Sequence, residues 1–91
     1  MNKKYKCICC GYYTFEENVV MNCDICPVCF WENDGVQNFD YSFSGGANVV
    51  SLNKARKNFK LFQSSEKKFF KYVRPPKDDE KEGLDDWTVF G

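Results

Sequence analysis

A small α+β fold, with a cysteine-knuckled β half followed by two short α-helices, is the class this sequence predicts. Three observations carry it. All six cysteines fall between residues 7 and 29 of a 91-residue chain, among residues that favour strands and turns. From Ser51 to Val73 the apolar residues change to a helical period. No internal repeat or second core-sized block is visible, so the length gives one domain. A chain this short buries only about 60–65% of its surface on folding and needs a staple beyond its apolar core.

Residues 4–34 contain every cysteine, punctuated by Gly11, Asn22, Pro27 and the Asn33-Asp34-Gly35 turn. Tyr12, Tyr13, Thr14 and Phe15, then Val19 and Val20, predict two or three short strands. Cys7-x-x-Cys10 and Cys26-x-x-Cys29 stand 15 residues apart, the spacing of a four-cysteine zinc ribbon. Two residues between cysteines let the chain turn so that both sulfurs face one point while backbone amides donate to them. Two such turns close a tetrahedral site with metal–sulfur distances of about 2.3 Å. Gly11, after the first pair, supplies a left-handed conformation without steric cost; Phe30 follows the second pair, where glycine would be easier.

The expected ligands are Cys7, Cys10, Cys26 and Cys29 around one structural zinc, with Cys9 as an alternative ligand. Iron is the rival metal, since a rubredoxin-like site uses the same four thiolates. Cys23, Cys26 and Cys29 also begin an iron–sulfur pattern, but its next cysteine falls at position 33, which is Asn. Cys9 and Cys23 read as small buried side chains, the functional alternative being a redox-sensitive thiol near the metal.

Residues 36–50 read as extended and loop-like, with a turn at Gly45-Gly46. Leu52, Ala55, Phe59 and Phe62 then form one stripe of a first helix, with Ser51 as its N-cap. Ser65 is placed to cap a second helix in which Glu66, Phe69, Phe70 and Val73 share a side. Arg74-Pro75-Pro76 ends it, because proline disfavours helix at the residue before it. The predicted zinc-ribbon-like domain spans residues 1–76, with metal knuckles at 4–34 and a basic helical part at 51–74. Residues 77–91 read as an acidic, mobile tail whose Leu84, Trp87, Val89 and Phe90 either dock on the domain or meet a partner.

A formal net charge of zero hides segregation: residues 1–50 carry −3, residues 51–74 carry +7 and residues 75–91 carry −4. Histidine is absent, which removes a Cys–His nucleophile pair and a His-ligated catalytic zinc, and four thiolates fill a tetrahedral site. Glu32 and Asp34 read as a polar turn rather than an acid–base pair. The expectation is a non-enzymatic module without a small-molecule substrate. Its sixteen aromatics point to a protein partner, contacted through Arg56, Lys60, Lys67, Lys71, Arg74 and Trp87. The alternative is nucleic-acid binding, since the basic belt interleaves with Phe59, Phe62, Phe69, Phe70 and Tyr72; at helical spacing these rings read as core. No signal-peptide apolar run and no stretch of about 20 apolar residues is present, so a cytoplasmic location with reduced thiols is expected.

The strings CICCGYYTFEE, ICPVCFWENDGVQ, GGANVVSLNKARKNFKLF and VRPP resemble the cysteine-rich CPCC family of small bacterial proteins, over residues Tyr5 to Pro76. Ile8 stands where the family's name motif has proline, and Cys23 stands where a non-cysteine is expected. The resemblance implies a zinc-ribbon-like domain with a helical appendix. It also implies an accessory role in bacteria and phages, in some members beside a toxin, which makes an immunity-type function the concrete version of protein binding.

Overall fold

The computed structural model describes residues 5–16 and 23–81. Strand β1 (Tyr5–Lys6) pairs antiparallel with β2 (Tyr13–Phe15), Tyr5 opposite Phe15 and Lys6 opposite Tyr13, with a register shift between the two pairs. The first cysteine turn is therefore the bend of a hairpin. An isolated antiparallel bridge between Ile25 and Glu32 flanks the second turn in the same way. The predicted strand residues Val19 and Val20 lie outside the described residues.

The two turns repeat each other bond for bond. Gly11 N donates to Cys7 O at 2.9 Å and Cys7 N to Tyr12 O at 2.8 Å; Phe30 N donates to Cys26 O at 2.8 Å and Cys26 N to Trp31 O at 2.9 Å. Each turn closes on a left-handed residue, Gly11 at φ 83° and Phe30 at φ 71°.

Residues 36–50 depart from the extended reading. They begin in a short helix, α1 (Gly35–Phe39), which Asp34 caps by accepting from Val36 N and Gln37 N. The same carboxylate accepts from Ala47 N at 2.9 Å, so one side chain both starts the helix and fastens the returning loop. Gln37 is fully buried. Its Nε2 donates to the carbonyls of Phe43, Asn48 and Val50, and its Oε1 accepts from the Asn48 amide and side chain. The loop itself is largely exposed apart from Asn48, and this one buried glutamine ties three of its carbonyls to α1.

Helix α2 (Leu52–Phe62) forms as predicted, with Ser51 Oγ accepting from Lys54 N. Leu52 and Ala55 are fully buried, and Phe59 packs its ring edge-on to Tyr12 with centroids 6.2 Å apart. The helix stops at Gln63, which takes the left-handed C-cap conformation at φ 63° and donates to Phe59 O.

The predicted second α-helix is instead a 3-10 helix (Lys67–Tyr72), capped at Glu66 without a side-chain bond rather than at Ser65. The physical reason is Phe30. Three residues per turn put Phe69 and Tyr72 on one side, where their rings meet Phe30 at centroid distances of 4.6 and 5.5 Å. An α-helix would have turned Phe69, Phe70 and Val73 towards it instead. Ser65 is buried, and its backbone N donates to Cys29 O.

Residues 78–81, assigned from the sequence to a mobile tail, form helix α3 (Asp78–Lys81). Glu80 is 2% exposed, because both its oxygens receive the Arg74 guanidinium at 2.8 Å and Lys77 N donates to it. The charged run that suggested solvation thus holds a buried, forked ion pair. Residues 82–91, with Trp87, lie outside the described residues.

Five of the eleven buried apolar residues among those described are cysteines, joined by Ile8, Phe15, Val28, Trp31, Leu52 and Ala55. So much of the core is sulfur that its cohesion depends on what the sulfurs hold. Among the described residues no helix is long and apolar enough to cross a membrane.

Candidate metal centre

The hairpin bend and the second turn bring the sulfurs of Cys7, Cys10, Cys26 and Cys29 within 4.8 Å of one another, all four side chains buried. Across the two turns Cys7 and Cys29 approach to 3.6 Å and Cys10 and Cys26 to 3.8 Å. A tetrahedral ion with metal–sulfur bonds of about 2.3 Å requires sulfur–sulfur edges of about 3.8 Å. The pocket therefore has the size of such a site, all its donors are sulfur, and all six cysteines of the chain are free. These four residues can hold a metal ion.

The surroundings suit negative sulfur. Val28 N and Trp31 N each point at the sulfur two residues back, Cys26 and Cys29, at 3.4 Å. The Thr14 hydroxyl lies 3.2 Å from Cys26 Sγ and donates when that sulfur is a thiolate. From sequence alone Thr14 reads as a strand former. Its one sequence signal was a small polar residue amid aromatics, which does not by itself point at a sulfur.

Burial raises the Cys7, Cys10 and Cys29 thiols above their ordinary range, most of all Cys7 and Cys29, since an apolar pocket disfavours charge. Burial pushes Cys26 up too, but hydrogen bonds from Cys10, Cys29, Cys7 and Thr14 outweigh it and hold Cys26 far below that range. Without a cation the pocket thus opposes charge on Cys7, Cys10 and Cys29, and Cys26 is the sulfur whose hydrogen bonds most favour a thiolate. A divalent ion reverses this balance by supplying the positive charge that lets all four sulfurs deprotonate.

Cys9 is buried but stands outside the four-sulfur group, near enough to Cys29 to contribute to its raised pKa. Cys23 is exposed, a correction to the buried reading, because it precedes the Ile25–Glu32 bridge and the second turn does not wrap it. The second turn is anchored from behind. Ser65 N donates to Cys29 O, Arg74 N donates to Pro27 O, and the buried Trp31 donates through Nε1 to Asn38 at 2.8 Å.

The predicted partner contacts separate into two groups. Lys60, Lys67 and Lys71 are exposed, Lys67 over the Phe62 ring and Lys71 over Tyr72. Arg56 and Arg74 are half-buried and occupied within the fold. Arg56 Nε donates to Ile8 O at 3.0 Å and its guanidinium covers Tyr41, while Arg74 holds Glu80. The Glu32 backbone exchanges hydrogen bonds with the Asn48 side chain, and the Asp34 carboxylate caps α1.

A family model described as Cysteine-rich CPCC matches residues 5–80. No curated protein matches the chain.

Proposed function

The chain belongs to the cysteine-rich CPCC family, and from that premise we propose that it is a non-enzymatic protein-binding module whose four-cysteine centre holds a structural zinc. Zinc suits four thiolates in a closed tetrahedron, which leaves no open position for water or substrate. In this role the metal joins the two turns, and its binding free energy, about 10–16 kcal/mol for comparable sites, contributes to folding.

One observation carries the binding half of the reading: large apolar side chains lie outside the core on well-fixed elements. Phe39 is 90% exposed at the end of α1, Leu61 is 73% exposed on α2, and Phe70 and Tyr72 are 57% and 59% exposed on the 3-10 helix. Leu61 and Phe70 line one groove with Phe62, and contiguous exposed apolar surface is typical of a face that meets another protein. The concrete version is an accessory, immunity-type protein in the cytoplasm that occludes a toxin.

Nucleic-acid binding is the second reading, favoured by the exposure of Phe70 and Tyr72 beside Lys67 and Lys71 rather than in the core. It requires affinity that falls steeply with salt. A rubredoxin-like iron centre is the lesser alternative.

The test is native mass spectrometry of the tagged chain, co-expressed with its gene neighbours. One bound zinc with a co-purifying protein is the expected result. Zinc with co-purifying nucleic acid supports the second reading, and iron reopens redox chemistry.

A further inference from the structure

Beside the metal centre, a cleft of about 620 Å³ opens between the first cysteine turn, the C-terminal half of α2 and residues 73–76. That volume falls within the range of about 300–1,000 Å³ usual for ligand sites. Tyr12, Phe59 and Phe70 give it an apolar wall, Arg56, Lys60 and Lys81 give it basic groups, and among the described residues no acidic side chain lines it. We infer that this cleft is the docking site for an acidic segment of a protein partner, with an aromatic side chain seated against Tyr12 and Phe59 and carboxylates at Lys60 and Lys81.

This rests on the protein-binding reading and names the chemistry of the partner. Three features favour it. The Tyr12–Phe59 wall is held edge-on at 6.2 Å, so a third ring meets preorganised apolar surface. Arg56 is fixed by Ile8 O and Tyr41, so its charge is presented without an ordering cost. Among the described residues Lys81 pairs with Asp78 at 3.8 Å, an exposed pair that a partner carboxylate readily replaces.

The metal centre decides between a peptide and a polyphosphate. Cys10 is part of the cleft lining, and four thiolates on a divalent ion leave a net charge of about −2 there. That charge repels an anion placed deep and leaves the rim lysines to attract one at the mouth. An apolar side chain below flanking carboxylates fits this field, whereas a chain of phosphates does not.

The test titrates the zinc-loaded full-length chain into a fluorescein-labelled peptide, Asp-Asp-Trp-Asp-Asp, and reads anisotropy. Saturable binding that weakens with salt is expected. Lys60→Glu and Phe70→Ala each reduce affinity about tenfold or more. Both positions are exposed, so zinc content and circular dichroism stay unchanged. Asp-Asp-Ala-Asp-Asp and Lys-Lys-Trp-Lys-Lys bind no better than background. No binding, or equal binding by both variants, overturns the inference. So does a labelled oligothymidylate that binds tighter than the peptide and is lost in the same variants. Peptide binding seen only after Asp85→Asn, Asp86→Asn and Trp87→Ala are combined also overturns it, because the occupant is then the chain's own C-terminal segment. If Lys60→Glu abolishes nothing but a co-purifying protein persists, the cleft is wrong while the protein-binding reading stands. If the wild-type chain co-purifies with no protein either, both fail.

Discussion

Phe30 sits at φ 71° where its counterpart in the first turn is Gly11. A side chain there costs about 1–2 kcal/mol. Its ring contacts with Phe69 and Tyr72, at about 0.5–1.5 kcal/mol per aromatic pair beyond area burial, more than offset the strain. Phe30→Gly is therefore expected to lower stability by about 1 kcal/mol and Phe30→Ala by about 3 kcal/mol, with zinc retained in both, as read by urea unfolding of the loaded protein. A glycine variant more stable than the parent would show that the rings do not hold the 3-10 helix. Gln63, also left-handed but exposed at the end of α2, has no such compensation. Gln63→Gly should stabilise by about 0.5–1 kcal/mol in the same assay. The conformational demand at residues 11 and 30 was legible in the sequence, because a C-x-x-C turn sets it locally. The reason for accepting a phenylalanine was not, because that reason lies about forty residues downstream in the 3-10 helix.

The elements show where local reading ends. Helix α2 was legible in full, since its stripe and its serine cap are contiguous in the chain. Helix α1 was not. Five residues show no periodicity, and the segment is fixed by Asp34 and Gln37 reaching across the loop. Gln37→Ala should cost about 3 kcal/mol, since it strips partners from buried carbonyls and creates a cavity. Gly46 is a sharper test, because a Cβ there would meet Asp34 Oδ2 at 2.7 Å and the Gln37 side chain at 2.9 Å. Gly46→Ala is expected to cost about 1–3 kcal/mol and to raise hydrogen exchange across residues 34–50 without loss of zinc. Exchange confined to position 46 would mean that the loop is not organised around Gln37. Helix α3 was missed for a different reason: Glu80 looks like one more charge in a solvated run until Arg74 folds over it.

At the scale of the molecule, the cysteines decide both fold and pH behaviour. Cys10→Ser and Cys26→Ser should each abolish metal binding and unfold the N-terminal half, while the exposed Cys23→Ser should do neither. Burial raises the Cys7, Cys10 and Cys29 thiols above the ordinary 9.0, while hydrogen bonds from its neighbours lower Cys26. Metal uptake at neutral pH therefore displaces protons from these thiols, and affinity rises with pH. Linkage fixes the signs for the metal-free fold: the three raised thiols contribute stability below pH 9.0 that is lost as pH climbs through their folded values. Cys26 contributes stability above 9.0 that is lost progressively as pH falls from there towards its depressed value. The loaded protein, in contrast, fails on the acid side, as protons compete with the metal. Chelator competition across neutral pH checks the sign, and affinity that does not rise with pH would mean that the ligands are not thiols in the free site. The metal-ligand pattern was legible because two short spacings encode it. The cleft beside it was not, since its walls come from the first turn, α2 and the proline segment, which only the folded chain brings together.

The most direct measurement is a chelator titration of the full-length chain, following released metal and far-ultraviolet circular dichroism in the same sample. One equivalent of zinc is expected to leave in step with the loss of structure, and adding zinc restores both. Release of iron, the absence of any metal, or zinc leaving while the spectrum stays native would contradict a structural zinc held by Cys7, Cys10, Cys26 and Cys29.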